Sequence, residues 1–434
     1  MGLYYKPNYS NSLKQIFKVW VLSVRISLMF EIKKHHLINF LIIIWLSHFI
    51  QILVPETGFD AVWYHLPVVD GILKNGSIIF SPEFYQSLNP LFSDMFFLVG
   101  YYFSGETGTK VIAYFFATGL IFATYKLSRI FFNFKLSLGI IILVSTFQVI
   151  SWQSSSFYVD VAKAFWEILA IYFLIKSIKS NNISDSFRSV FSFSASLATK
   201  LFSIFLLPAY LYIFIKSSEK IFSKFQNLIS RLILVSVLLF PLIIPAYFYL
   251  NSYSITGNPF YSFSVHLQKL SEIGGQDNFI KYIFDRTVLL LFSPFKLIIA
   301  RDYVSPLISI LLIPVVFKIK EIFRNKRLLI LFVFSISQWL IWWYLPPLST
   351  RYAISGFISM LILEISVLKT FNSKLTNNKI LILLALFAFI NFIPRIFVNI
   401  RSLKYLLGNQ TQKEYIEQFY DGSIDQKLKD WYKY

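Results

Sequence analysis

Apolar stretches run the length of the chain, and most are too long for one buried face of a soluble helix. The first is LINFLIIIWLSHFIQILVP at 37–55. A helix in a soluble core needs about 10 to 14 apolar residues, whereas the hydrocarbon core of a bilayer, roughly 30 Å thick, needs 17 or more. Comparable runs recur near 232–250, 303–317, 328–344, 352–368 and 380–396. Two stretches fit spans less simply. PLFSDMFFLVGYYFSG at 90–105 reads either as a span or as a helix on the outer surface. The surface helix is preferred because it leaves the basic loop KLSRIFFNFK at 126–135 in the cytoplasm. The stretch 189–215 is too long for one span and carries Lys200 near its middle, which predicts two short spans meeting outside at Thr199 and Lys200.

The expected fold class is therefore all-α, a polytopic membrane protein of about eleven transmembrane helices with external juxtamembrane helices. Residues 1–36 hold six Lys and Arg, which places them in the cytoplasm, and within them Leu13–Phe30 is amphipathic enough to lie along the inner surface. Residues 37–396 form one transmembrane domain, with external loops at 56–110 and 251–302, and 397–434 is a polar tail expected outside. No short cleavable signal precedes the first strong run, so Leu37–Pro55 reads as an uncleaved anchor.

Composition agrees with this pattern: of 434 residues, 56% are hydrophobic and 15% charged. The formal charge of +19 does not point to nucleic acid, because the Lys and Arg sit in short segments between apolar runs. Threaded as above, the cytoplasmic segments hold 24 Lys and Arg against nine in the external loops before the tail, the sense of a positive-inside bias. With no cysteine there is no disulfide framework, thiolate metal site or thiol nucleophile.

On this threading the unusual polar residues collect at the outer interface. Asp60 follows the first span in ETGFDAVWYHLP, Asp160 opens a span in SSFYVDVAKAF, Lys200 caps the short pair of spans, and Arg351 follows PPLST. An ionisable group at a span end either snorkels to water or lines a site. For each alone the two readings weigh equally. Together, two carboxylates able to take a hydroxyl proton and two cations able to hold a departing phosphate make a coherent chemical set. Pro67 suits the first turn of a surface helix that Asn75 and Gly76 would end. That leaves Asp60 in the irregular approach, expected to be exposed and mobile. His65 is a ligand, a proton carrier or, more commonly, a hydrogen-bonding group. Trp63 and Tyr64 fit either a site lining or the interfacial aromatic belt, and Asp70 and Glu83 fit a solvated face. Asp60 and Asp160 could share a divalent cation, but no third ligand is evident, so metal dependence stays open.

In order and spacing, FDAVWYHLP, the YVD stretch, SLATKLFSIFLLP with its Thr-Lys pair, TGNPFYSF and RYAISGF resemble the GT-C glycosyltransferases. The branch is that of protein O-mannosyltransferases and lipid A aminoarabinose transferases, and the resemblance covers roughly residues 37–368. It implies transfer of a sugar from a polyprenyl-phosphate carrier to a lipid, glycan or protein hydroxyl outside the cytoplasm. It further implies Asp60 as the catalytic first-loop acid, Asp160 as the second acid, Lys200 as a donor phosphate contact and Arg351 as a candidate for the same duty. Asn258 in TGNPFYSF is a candidate for acceptor binding or site lining. The chain departs from the pattern where relatives carry an acid beside the first acid, and a Pro-Pro pair where Asn89 and Pro90 stand here. Two rivals remain. A transporter or flippase for lipid-linked sugars would show paired halves and broken helices at mid-bilayer, and no matching halves are visible. A polysaccharide polymerase or ligase would place its essential cations in the 251–302 loop, which holds Lys269, Lys281, Arg286, Lys296 and Arg301.

Overall fold

In a computed structural model of the chain, residues 32–223, 227–274, 279–300, 302–345, 348–371, 376–418 and 431–432 are described. The amphipathic helix expected over Leu13–Phe30 lies outside them. The described residues are all-α and contain no strand. The main helices are α1 (Lys34–Ile50), α2 (Leu66–Asn75), α3 (Phe92–Ser128), α4 (Phe134–Ser145), α5 (Asp160–Ser180), α6 (Ile183–Leu197), α7 (Leu207–Phe222), α8 (Leu228–Leu239) and α9 (Ile243–Thr256). After these come α10 (Tyr261–Gly274), α11 (Phe279–Val288), α12 (Pro306–Phe317), α13 (Lys326–Tyr344), α14 (Ile354–Phe371) and α15 (Asn377–Leu406), with short helical turns between.

Six of the described stretches are long and apolar enough to cross a bilayer: Lys34–Leu53, Phe92–Ser128, Leu228–Thr256, Lys326–Tyr344, Thr350–Thr370 and Asn377–Leu406. The expectation of about eleven also counted shorter apolar helices such as α4 and α12, and α5, whose buried face carries Asp160, Lys163 and Glu167. The segment 90–105 is helical and continues into α3, but the chain turns sharply at Ser104 and Gly105, where Gly105 has φ 54°. The fold-back brings Gly100 against Gly108. A Cβ at Gly108 would stand 1.8 Å from the Gly100 carbonyl oxygen, so the bend needs a residue with no side chain. Helix α15 runs to Leu406, ten residues beyond the boundary at 396–397 drawn from hydropathy. Arg395 and Arg401 interrupt the apolar run there without interrupting the helix.

Apolar burial alone does not order such helices, because a leucine is equally at home against lipid and against another helix. Close approach of small residues and polar links between helices do the ordering. Helices α5 and α6 form a hairpin closed by Asn181 in the left-handed conformation (φ 47°) and capped by the Asn182 side chain. The α6 face toward α5 is rich in serine, and Ser189 donates to the Ala170 carbonyl of α5 (2.7 Å). Helix α5 also packs along α3, α13 lies on α14, and α15 lies on α4. At Gly356 in α14 an added Cβ would fall 2.2 Å from the Gln338 Cβ, so glycine permits that approach. Trp342, Trp343, Phe334 and Phe357 fill the core between. Large apolar side chains such as Phe103, Leu291, Val316 and Phe317 are exposed, as a lipid-facing surface requires.

Candidate active site

Two loops that are far apart in sequence are tied by one buried acid. Glu56, 2% exposed, accepts from the Ser156 hydroxyl (2.6 Å) and the Phe157 amide (2.8 Å), and from the amides of Thr57 (3.0 Å) and Gly58 (2.8 Å). A Cβ at Gly58 would lie 2.6 Å from both Ser156 Oγ and the Tyr158 ring, so the loops can meet this closely only at a glycine. The Asp60 amide then donates to the Tyr158 hydroxyl (3.0 Å). Asp60 begins a π-helical turn, Ala61–His65, that leads into α2. The wider turn is a recurrent feature of functional sites. Helix α2 starts with Pro67 in its first turn and ends at Gly76 with φ 68°, as the sequence predicts. Asp60 itself is not exposed as expected: it is 8% exposed, because the 154–159 loop and Arg351 cover it.

Arg351 sits in a tight turn, Thr350–Ala353, just before α14. Ser349 Oγ donates to Asp302 Oδ2 (2.5 Å), Thr350 Oγ1 donates to the Asp302 carbonyl, and buried Lys163 donates to the Tyr352 carbonyl (3.1 Å). The turn so held aims Arg351 Nη1 at Asp60 Oδ2 at 2.6 Å. Asp160 is the first residue of α5, where the helix dipole favours a carboxylate. It pairs with the Lys200 ammonium and accepts from Gln153 Nε2 (3.0 Å). Lys200 lies in the extended break after α6 (φ −150°, ψ 132°), the meeting point expected between two short helices. The Tyr352 ring stands between the cations, 5.4 Å from Lys200 Nζ and 5.3 Å from the Arg351 guanidinium carbon. Burial lowers the Lys200 ammonium from its ordinary value, with Asp160 opposing. Burial, and then the nearby Asp60 charge, raise the Tyr64 phenol well above its ordinary value. Tyr158 is raised by the same two causes, so both phenols stay protonated.

Asp60, Tyr64, Lys200, Arg351 and Tyr352 line one cavity of about 110 Å³, together with Trp63, His65, Tyr85, Phe202 and Phe263. Asp60, Lys200, Arg351, Trp63, Tyr64 and His65 are thus brought together, and Asp160 reaches the cavity through Lys200. His65 serves as a hydrogen-bonding group: its Nδ1 is 2.7 Å from Asp94 Oδ1, and its ring stacks on Phe157 at 4.9 Å. Asn258 does not line the cavity. Its amide closes its own turn, accepting from the Phe260 amide (2.9 Å) and donating to Ser264 (3.1 Å). The same loop contributes Ser262 and Phe263 instead, and Ser262 donates to Asn89 (2.7 Å) at the cavity edge. Sequence reasoning missed Glu56, Gln153, Tyr158, Asp302 and Tyr352. Only Tyr158 and Tyr352 carried a signal, as neighbours of singled-out residues in YVD and RYA. A shared metal fits the site poorly, since both carboxylates already face cations and the described residues hold no group of three or more His, Asp or Glu.

No family model and no curated protein matches the sequence. The solved structure of ArnT from Cupriavidus metallidurans in the apo state does superpose, with TM-score 0.51 and 13% identity over 76% of this chain and 59% of that one. The fold is of the GT-C type. The chain spans about three fifths of the length of ArnT. The same ArnT bound to undecaprenyl phosphate gives 0.48 (14% identity, 78% of this chain, 60% of that one). An Archaeoglobus fulgidus oligosaccharyltransferase in complex with zinc and sulfate gives 0.49 (14%, 83% and 53%). Neither of these two scores adds to the fold assignment. With its long apolar helices and this fold, the chain is an integral membrane protein.

Proposed function

We propose that the chain is a glycosyltransferase that moves a sugar from a polyprenyl-phosphate carrier to a hydroxyl of a lipid, glycan or protein on the external face of the membrane. The observation that carries this reading is the convergence of two acid–cation pairs, Asp60 with Arg351 and Asp160 with Lys200, on one aromatic-lined cavity of a GT-C scaffold. At about 110 Å³ the cavity is smaller than the 300 Å³ or more typical of ligand sites, so a sugar phosphate enters as the pairs part. The donor's phosphodiester carries one negative charge and competes with the two carboxylates for their cations. Once Arg351 turns to phosphate, Asp60 keeps an uncompensated charge and becomes the stronger base. It takes the proton of the acceptor hydroxyl while that oxygen bonds to the anomeric carbon. The bond from the anomeric carbon to the phosphate oxygen breaks, and its electron pair leaves with polyprenyl phosphate, held by Lys200 and Arg351. Asp160 holds Lys200 in place until the phosphate arrives. No step is routed through a metal.

The polymerase reading gains no support. Of its candidate cations, Arg286 is stacked on Trp343 (5.0 Å), and Lys281 and Lys296 are exposed away from the cavity. Arg301 and the Lys269 side chain lie outside the described residues. The test is incubation of membranes containing wild-type or Asp60→Asn protein with a panel of radiolabelled polyprenyl-phosphate sugars. Label should pass to a new product with wild type and not with the variant. Wild-type protein that transfers none of the sugars overturns the reading, and a variant that transfers at the wild-type rate removes Asp60 from the base role.

A further inference from the structure

A second cavity, about 540 Å³, lies behind the Asp60–Arg351 pair, and both residues line it as well as the first. The ion pair is the wall between the two. The charged residues lining the second cavity are Glu56 and Asp60 against Lys110, Arg351 and Arg395, two acids against three cations, so the lining itself carries one positive charge in excess, with Glu106 just outside it beside Lys110. Glu56 is saturated by the four donors already named. Lys110 donates to the Val54 carbonyl (2.6 Å) and lies in the field of Glu56 and Glu106. The excess falls on Arg395, which has no acid partner among the described residues. Arg395 is 6% exposed; its Nη2 donates to the His48 carbonyl (3.3 Å) and Ser155 Oγ (3.0 Å), and its Nε has no partner. Those two bonds tie α15 to α1 and to the 154–159 loop, but a neutral amide could make them. A full charge buried without a counter-charge is costly, and within a membrane helix such a charge marks a ligand pathway.

We propose that the second cavity receives the acceptor, and that the acceptor carries an oxyanion, phosphate or carboxylate, that pairs with Arg395. The proposal rests on the glycosyltransferase reading above and names its substrate class. An oxyanion anchored at Arg395 leaves a hydroxyl elsewhere on the same molecule free to reach Asp60 in the shared wall. The volume suits a sugar-phosphate or glycerophosphate-sized group.

The site can be tested apart from the transfer reaction. Detergent-purified protein is dialysed to equilibrium against radiolabelled inorganic phosphate, in a Lys200→Ala background to weaken the donor side. Arg395→Gln should lower phosphate affinity about tenfold or more, the effect of losing a charge-assisted contact, and Arg395→Lys should keep most of it. Unchanged affinity in Arg395→Gln overturns the proposal, as does a Lys200→Ala protein that binds no phosphate at all. Arg395→Met replaces the Gln variant if that one does not fold. In the transfer assay, envelope lipids split by anion exchange should accept label in the retained fraction. Label found only in the neutral fraction overturns the acceptor assignment and leaves the transferase reading intact. Label in neither fraction strikes the transferase reading, and the acceptor assignment falls with it, while the phosphate measurement still stands.

Discussion

Two charged clusters lie within one helical bundle, and they are built differently. In the interior, Glu167 of α5 accepts from Lys163 (2.9 Å), Ser203 (3.2 Å), Gln338 (3.0 Å) and Ser355 (2.5 Å), and joins α5, α13 and α14. The Lys163 and Glu167 side chains are 3% and 0% exposed, and neither lines either of the two cavities described above. At the cavity, Asp60 and Asp160 each face one cation, Arg351 Nε has no partner, and the Lys200 and Arg351 side chains are 13% and 16% exposed. A carboxylate whose donors are all in place and that faces neither cavity has nothing left for a substrate and acts as scaffold, even though the Gln338 Oε1 beside it has no partner. One that is partly filled and open to a cavity can exchange partners, which chemistry on a phosphate donor requires.

The comparison breaks most visibly at Glu167. Glu167→Ala leaves Lys163 as a buried uncompensated charge, and a broken buried pair costs about 3–5 kcal/mol. The expected outcome is a large drop in the thermal unfolding midpoint of the detergent-solubilised protein, partly recovered by adding Lys163→Met. The surviving folded fraction should keep a donor affinity close to wild type. A change in donor affinity at unchanged stability would show that the interior cluster belongs to the site.

Asp60→Asn should do the reverse. It removes charge and proton-accepting capacity but keeps shape, so transfer should fall on the order of a hundredfold or more with little change in unfolding midpoint. Asp160→Asn sharpens the result. If Asp160 only holds Lys200, its loss should be partial and appear mainly in the KM for donor. A loss as deep as that at Asp60 would return the two carboxylates to a shared chemical role. Lys200→Ala comes next in size, with donor KM raised about tenfold, the range of one charge-assisted contact, and kcat less affected. Donor kinetics equal to wild type would take Lys200 out of phosphate binding.

What the sequence made legible follows from which interactions are local. The helical bundle, the α2 boundaries at Pro67 and Gly76, and the break at Lys200 are written in hydropathy and in single Pro, Gly and Lys residues. The four charged residues could be singled out because a charge at the end of an apolar run stands out. Which acid meets which cation was not legible. That depends on the docking of the 55–60 loop on the 154–159 loop through Glu56, Gly58 and Ser156, a contact across about a hundred residues with no periodic trace. The burial of Asp60 was missed for the same reason, since its cover comes from Tyr158 and Arg351. Arg401 fell in the polar tail drawn from 397 because hydropathy registers its charge and not the continuing helix.

The smallest effect is expected where a motif misled. TGNPFYSF drew attention to Asn258, whose side chain closes its own turn, while Ser262, four residues on, reaches Asn89 at the cavity edge. Asn258→Ala therefore removes a local turn bond at a half-buried position away from the cavity and should change transfer by no more than about twofold, the scale of a substitution that touches no packed core or site. Ser262→Ala unties the loop from Asn89 and should have the larger effect of the two, read as a rise in KM at near-constant kcat because the residue shapes the cavity and touches no reacting atom. If instead Asn258→Ala is the more damaging, the loop must rearrange when substrate binds and bring Asn258 inward. The cavity lining described here would then be that of the resting state only, and the partly filled cluster would owe part of its completion to this loop.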